Sequence, residues 1–229
     1  MFVIAKREFV NLFKGIKSII TVLFLLIVSY YSAKFSEVIS IGIELTASEA
    51  EGIHTVGILT LILLLGYLFV ASLSHNTVNR EMEERTIRFL ITRTSRQSII
   101  LGKFFGICLF WFVTLIISFL LISIFSQKVD LFIFLQTMSL LIYQIALIIL
   151  LSVIILKPSL TMFLGIIFGL SFPAVGIWLA FTSNTWVSWI KFITPYYYLF
   201  NEDYTFVMNV ILAVIMLAIA NQIFKRREC

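Results

Sequence analysis

The segment His75–Lys103, HNTVNREMEERTIRFLITRTSRQSIILGK, is the longest charged stretch of the chain, and its reading decides the rest. It carries five arginines (Arg80, Arg85, Arg88, Arg93, Arg96) and three glutamates (Glu81, Glu83, Glu84), and ends on Lys103. Long apolar runs flank it on both sides. Over all 229 residues, 61% are hydrophobic and 13% charged, with a mean hydropathy of +1.07. Soluble domains are nearer half apolar and a quarter charged. A chain of this length has more apolar surface than a soluble core can enclose. The composition therefore predicts an all-α, polytopic membrane protein in which the charged segment separates two spans.

Outward from that segment, six apolar runs are long enough to cross hydrocarbon, which takes about 20 helical residues. They are Ser18–Ala33, Ile53–Ser74, Ile99–Phe125, Leu131–Leu156, Leu160–Thr182 and Tyr204–Phe224. Backbone groups in lipid must bond within their own segment, so each run is predicted as a helix. The first run is not followed by a small-residue cleavage site and reads as a retained span rather than a removed leader. Six spans place both termini on one side, and the basic residues choose it. With the N-terminus inside, fourteen Lys and Arg lie on inner segments and three (Lys34, Lys128, Lys191) on outer ones. The positive-inside bias thus predicts a cell-membrane protein with both termini and the charged segment in the cytoplasm. The net charge of +5 belongs to this bias and not to nucleic-acid binding.

The chain reads as one domain over 1–229, with three features around the spans. Residues 1–17 are predicted as a helix lying in the membrane surface. Phe2, Ala5, Phe9, Leu12, Phe13 and Ile16 share one face, Arg7, Asn11, Lys14 and Lys17 the other, and Ile4 is out of place. The first outer loop has the composition for a short helix around Glu37–Leu45, and Ser126–Asp130 reads as a tight turn. The outer segment 183–203 is aromatic. Trp186, Trp189, Tyr196, Tyr197 and Tyr198 read as an interfacial belt, broken at Pro195, with Trp186–Ile193 either a short re-entrant helix or a simple anchor.

Several chemistries lack their parts. Gly102-Lys103 has no glycine upstream at phosphate-loop spacing and opens a span, so no ATP site is expected in this chain. Glu83, Glu84 and Arg88 fit the E-E-x-x-x-R pattern of membrane prenyl-protein proteases, but the only two histidines, His54 and His75, precede it. Apart from Lys103 near one span end, no Asp, Glu, Lys or Arg interrupts the six runs, and ion-coupled transport usually needs a buried ionisable group. Two cysteines, Cys108 within a span and Cys229 at the end, predict neither disulfide nor metal site.

The charged segment and its flanks resemble permease subunits of type-2 ABC exporters. There, a segment between the second and third spans reads roughly Arg-Glu-x-Glu-x-Gly-Thr-x-Glu-x-Leu-Leu, then Pro-x-Ser-Arg, Ile and Gly-Lys. Arg80, Glu81, Glu83, Thr86, Leu90, Ser95, Arg96, Ile99, Gly102 and Lys103 follow that order and spacing. Arg85, Arg88 and Arg93 depart from it, standing where Gly, Glu and Pro are common, which leaves the local turn open. Ala5-Lys6-Arg7-Glu8-Phe9 and Thr194-Pro195-Tyr196-Tyr197-Tyr198 are similar to the family's first helix and to its stretch before the last span.

The resemblance implies that residues 75–98 form a cytoplasmic coupling helix seated on a separate ATPase subunit. Arg80, Glu81, Met82, Glu84, Arg85, Arg88, Phe89, Leu90 and Arg96 would be the interface. Met82, Phe89, Leu90 and Ile91 would fill an apolar groove, with the charges pairing around it. It further implies two ATPase subunits, which carry the ATP and Mg, and a second copy or paralogue of this chain. The substrate would be a peptide antibiotic or bacteriocin, a drug or a lipid. The chain itself would bind no cofactor. Thr114, Ser118, Gln136, Tyr143 and Gln144 either line a substrate path or bond neighbouring helices. Gly102-x-x-x-Gly106 and Gly165-x-x-x-Gly169 allow close helix contact, more readily within one subunit than between two. The alternative from another class is a membrane-anchored sensor or assembly protein that docks a non-ATPase partner.

Overall fold

The structure, a computed structural model, describes residues 1–35, 47–127, 129–182, 184, 186–200 and 204–227. The helix expected around Glu37–Leu45 lies outside them. Among the described residues there is no strand. In chain order the helices are α1 (Phe2–Lys14), α2 (Ile16–Lys34), α3 (Ala47–Ser74), the short α4 (Asn79–Glu83) and α5 (Ile87–Ile91), and α6 (Arg96–Ser126). Then come α7 (Leu131–Ile154), α8 (Pro158–Phe181), the short α9 (Pro195–Leu199) and α10 (Val207–Arg226). Six of these elements, built on α2, α3, α6, α7, α8 and α10, are long and apolar enough to cross a membrane.

Local chemistry sets several boundaries. Asp130 caps α7, its side chain accepting from the Ile133 amide. Ser95 caps α6 in the same way through Ser98. Gln127 ends α6 in the left-handed conformation, with φ of 55°. Pro158 opens α8 at its first position, where no amide donor is needed. Pro173 sits inside α8 and removes one bond from its ladder.

The centre of the bundle is α7. Of its most apolar window 67% is buried, against 28% for α2, α8 and α10, so these three form the rim. Around it pack α3, α6, α8 and α10, while α2 lies against α3 and α6. Lipid tails are as apolar as leucine, so close backbone approach and polar bonds hold such helices together rather than water exclusion. Both glycine pairs serve contacts inside the subunit. A Cβ on Gly102 would come within 2.9 Å of the Ile4 Cβ, and one on Gly106 within 2.7 Å of both the Ala5 carbonyl and the Glu8 Cβ. This pair is the seat of α1 on α6. Gly165 and Gly169 admit Ala71 and Leu68 of α3.

That seat changes the reading of α1. Ile4, Ala5, Glu8, Phe9 and Leu12 form its inward stripe, so Ile4 is in place after all. Phe2 and Ile16, expected on the apolar face, turn away from the bundle with most of their surface exposed.

Candidate coupling site

The charged segment is held to the bundle at three places. At its start, the amides of Val78 and Asn79 both donate to Ser152 Oγ at 3.1 and 3.2 Å, and Asn79 Nδ2 donates to Thr161 Oγ1 at 2.7 Å. These bonds tie α4 to the end of α7 and the start of α8. At its end, Arg96 Nη1 donates to the carbonyls of Phe224, Lys225 and Arg227 at 2.9, 2.8 and 2.7 Å, covering the last turn of α10. Helix C-termini leave such carbonyls without partners and favour a cation there.

The third anchor is Lys103, one turn into the membrane-facing length of α6 and 1% exposed. Its Nζ donates to Glu8 Oε1 at 3.0 Å and to the Thr77 carbonyl at 2.6 Å, and forms an ion pair with Glu81 Oε1 at 3.0 Å. Two hydrogen bonds and two carboxylates compensate the buried ammonium, as a buried charge requires. One side chain thus joins α1, the end of α3, α4 and α6. Neither Lys103 nor Glu8 stood among the expected coupling residues. The signal was a lone lysine at the head of an apolar run, with a lone acid inside the first helix.

Between the anchors the segment turns sharply. Arg85 follows α4 with φ of 57°, the left-handed position at which helices usually end on glycine. It is also the site where the resemblance expects Gly. Thr86 Oγ1 closes the turn on the Glu81 carbonyl at 3.3 Å. Arg88 lies on α5.

The expected interface residues divide by direction. Glu81 faces inward to Lys103, and its second oxygen, Oε2, is buried without a partner. Met82, Leu90 and Ile91 are partly buried against the chain's own core. Phe89 alone among the apolar four projects, with 75% of its surface exposed. Arg80 and Glu84 form an exposed i,i+4 pair at 2.8 Å, a geometry that stabilises little. A cleft of about 570 Å³ separates this segment from α1, lined by Arg7, Asn11, Glu84, Phe89 and the Lys103 cluster.

All five expected path residues are buried. Gln136 Nε2 donates to the Leu199 carbonyl at 2.6 Å and Tyr143 Oη to that of Ile193 at 2.9 Å, so both fasten the outer segment. Thr114 bonds its own helix at the Phe110 carbonyl. Ser118 Oγ and both amide atoms of Gln144 have no protein partner, as is true of Tyr67 Oη and Trp111 Nε1.

In the outer segment, Ser188–Ile193 forms a 3-10 turn. Trp186 and Trp189 are exposed, as a belt requires, and Lys191 lies 4.9 Å above the Tyr197 ring. Tyr196 and Tyr198 do not belong to that belt. Pro195 opens α9 and turns both rings inward. The Tyr196 ring fills the space left by Gly176, its hydroxyl donates to the Leu63 carbonyl at 3.3 Å, and burial holds its pKa well above the ordinary phenol range.

Residues 2–229 match the family model described as ABC-2 family transporter protein. No curated protein matches the chain. Membrane subunits of this family carry no ATP-binding site and associate with an ABC ATPase subunit. With six membrane-crossing helices and a match over nearly its whole length, the chain belongs to the ABC-2 family and is a multi-pass membrane subunit of an ABC transporter.

Proposed function

We propose that this chain is the membrane half of an ATP-driven exporter, and that residues 75–98 receive the stroke of a cytoplasmic ATPase. The three-point anchoring of that segment, with Phe89 left projecting, carries the reading. A free loop would absorb a push. A segment bonded through Asn79 to α7 and α8, through Lys103 to α1 and α6, and through Arg96 to α10 passes it to five helices. Phe89 is the apolar plug, and Arg80, Glu84, Arg85 and Arg88 of the same segment supply ion pairs to the ATPase. The positive-inside distribution puts this end and both termini in the cytoplasm.

The ATPase subunits, two per transporter, hold ATP and Mg, and their hydrolysis moves helices that carry no chemistry of their own. A second copy or paralogue completes the path. The substrate is small or amphipathic: a peptide antibiotic or bacteriocin, a drug or a lipid. Co-purification with an ABC ATPase subunit, followed by ATPase and export assays on Phe89→Asp, tests the proposal. The variant is expected to insert and melt like the parent while stimulating ATPase and export less than a tenth as well. Parental stimulation and export by Phe89→Asp would overturn the coupling role.

A further inference from the structure

We propose that the groove between α6 and α10 is a binding site for one anionic phospholipid, at the end of the bundle that carries the termini. This does not depend on the coupling reading. The groove has a volume of about 360 Å³ and is lined by Ile100, Leu101, Phe104, Phe105, Val214 and Leu217, with Gln97 and Asn221 at its terminal end. The two helices run antiparallel, so polar lining sits at one level and apolar lining below it. From Gln97 to Phe105 the groove descends about 12 Å along α6, most of the roughly 15 Å of hydrocarbon in one leaflet. That polarity profile is the profile of a single lipid in its leaflet.

The mouth supplies the charge. Arg96 opens α6 and Lys225 and Arg226 lie in the last turn of α10, beside the groove's terminal end, and among the described residues none of the three pairs with a carboxylate. Arg96 already covers the carbonyls at the end of α10, removing the negative end that would oppose an anion. The start of α6 adds its positive end at the same level. Basic pockets between helices at this depth suit anionic headgroups. Asn221 lines the same end and brings a carboxamide to the headgroup level. A second copy of the chain fits less well. A two-fold contact through this groove would bring the three cations of each mouth together.

The test uses the full-length protein in mild detergent, with phosphatidylglycerol or phosphatidylcholine added, read by native mass spectrometry and by thermal unfolding. Phosphatidylglycerol is expected to remain bound and to raise the melting temperature, and phosphatidylcholine to do neither. Ala218→Phe, at an exposed position on the groove wall, should melt normally without lipid and lose the phosphatidylglycerol response. Lys225→Gln with Arg226→Gln should weaken the lipid about thirtyfold, as two surface charges are removed, and unweakened binding would overturn the site. Equal responses to both lipids, or an undiminished response in Ala218→Phe, would overturn the site. So would disulfide pairing between copies through Leu101→Cys in a Cys229→Ser background, which would show that another protein chain covers the groove.

Discussion

Replacing Lys103 with methionine removes one cation and strands two acids. Each of its carboxylate contacts is 3.0 Å long. At an effective dielectric of 20 the Coulomb attraction is about 5.5 kcal/mol per contact, before the cost of taking the charges out of water. That cost is already met in the folded protein, so Lys103→Met loses the attraction and leaves the carboxylates facing each other. Breaking a buried ion pair from one side costs about 3–5 kcal/mol. Glu8 and Glu81 retain 19% and 16% side-chain exposure along the cleft. Water reaching them lowers the loss to about 2–4 kcal/mol. At 2–4 °C per kcal/mol for a chain of this size, the melting temperature should fall by roughly 4–16 °C. A thiol-reactive dye can follow unfolding through buried Cys108 once Cys229 is replaced by Ser. The decisive control adds Glu8→Gln and Glu81→Gln to Lys103→Met. With no stranded charge, this triple variant should regain more than half of the lost melting temperature. A single variant melting within 1 °C of the parent, or a triple no better than the single, would refute the buried triad as an organising element.

Three further outcomes follow from the same structure. Gly106→Leu places its side chain where the Ala5 carbonyl and Glu8 Cβ already stand. It should cost at least about 1–3 kcal/mol and speed proteolysis at Lys6 and Arg7 as α1 lifts from α6; unchanged cleavage would contradict the docking. Arg85→Gly relieves a left-handed residue and should stabilise by about 0.5–1.5 kcal/mol, visible as a higher melting temperature, whereas a lower one would assign Arg85 a contact that outweighs its backbone. Gln144→Leu replaces a fully buried carboxamide without partners. It should stabilise the resting protein by about 1–3 kcal/mol, with transport reduced where the amide meets substrate or water in another state; a destabilised variant would show that the amide is already bonded.

What was legible in the sequence is what the bilayer dictates. Hydrocarbon thickness fixes span length, so all six crossings could be counted from composition alone. Which face of each span looks inward could be read only where polar residues mark it. On α7, Gln136, Thr137, Ser139, Gln144 and Ser152 all lie on the buried side, but the apolar residues divide between both sides, because lipid and protein interior select the same side chains. The glycine pairs marked close contacts but not their partners. Gly102 and Gly106 hold the first helix, which was placed in the membrane surface by a wheel on which Ile4 did not fit. The misfit was the information: Ile4 and Glu8 lie on the side of α1 that faces α6, and Phe2, counted with the apolar face, points away. Tyr196 and Tyr198 misled for a related reason. Tyrosine is amphipathic and suits a belt, and only the turn at Pro195 with the gap at Gly176 shows that these rings enter the bundle.

Lys103 shows why the charged segment is not an ordinary loop. A loop between two spans needs no buried contacts, since its backbone can be satisfied by water. Here a lysine is drawn below the surface and bonds elements far apart in sequence: Glu8 lies 95 residues away, and Thr77 lies 26 residues away. Such a triad contributes little net stability compared with apolar residues of the same volume. Its value lies in fixing register, because both ion pairs form only when α1, α4 and α6 are brought together. Glu81 Oε2 is buried without a partner, so the node is one bond short of satisfaction. A small shift of that carboxylate would be felt by every helix the lysine holds.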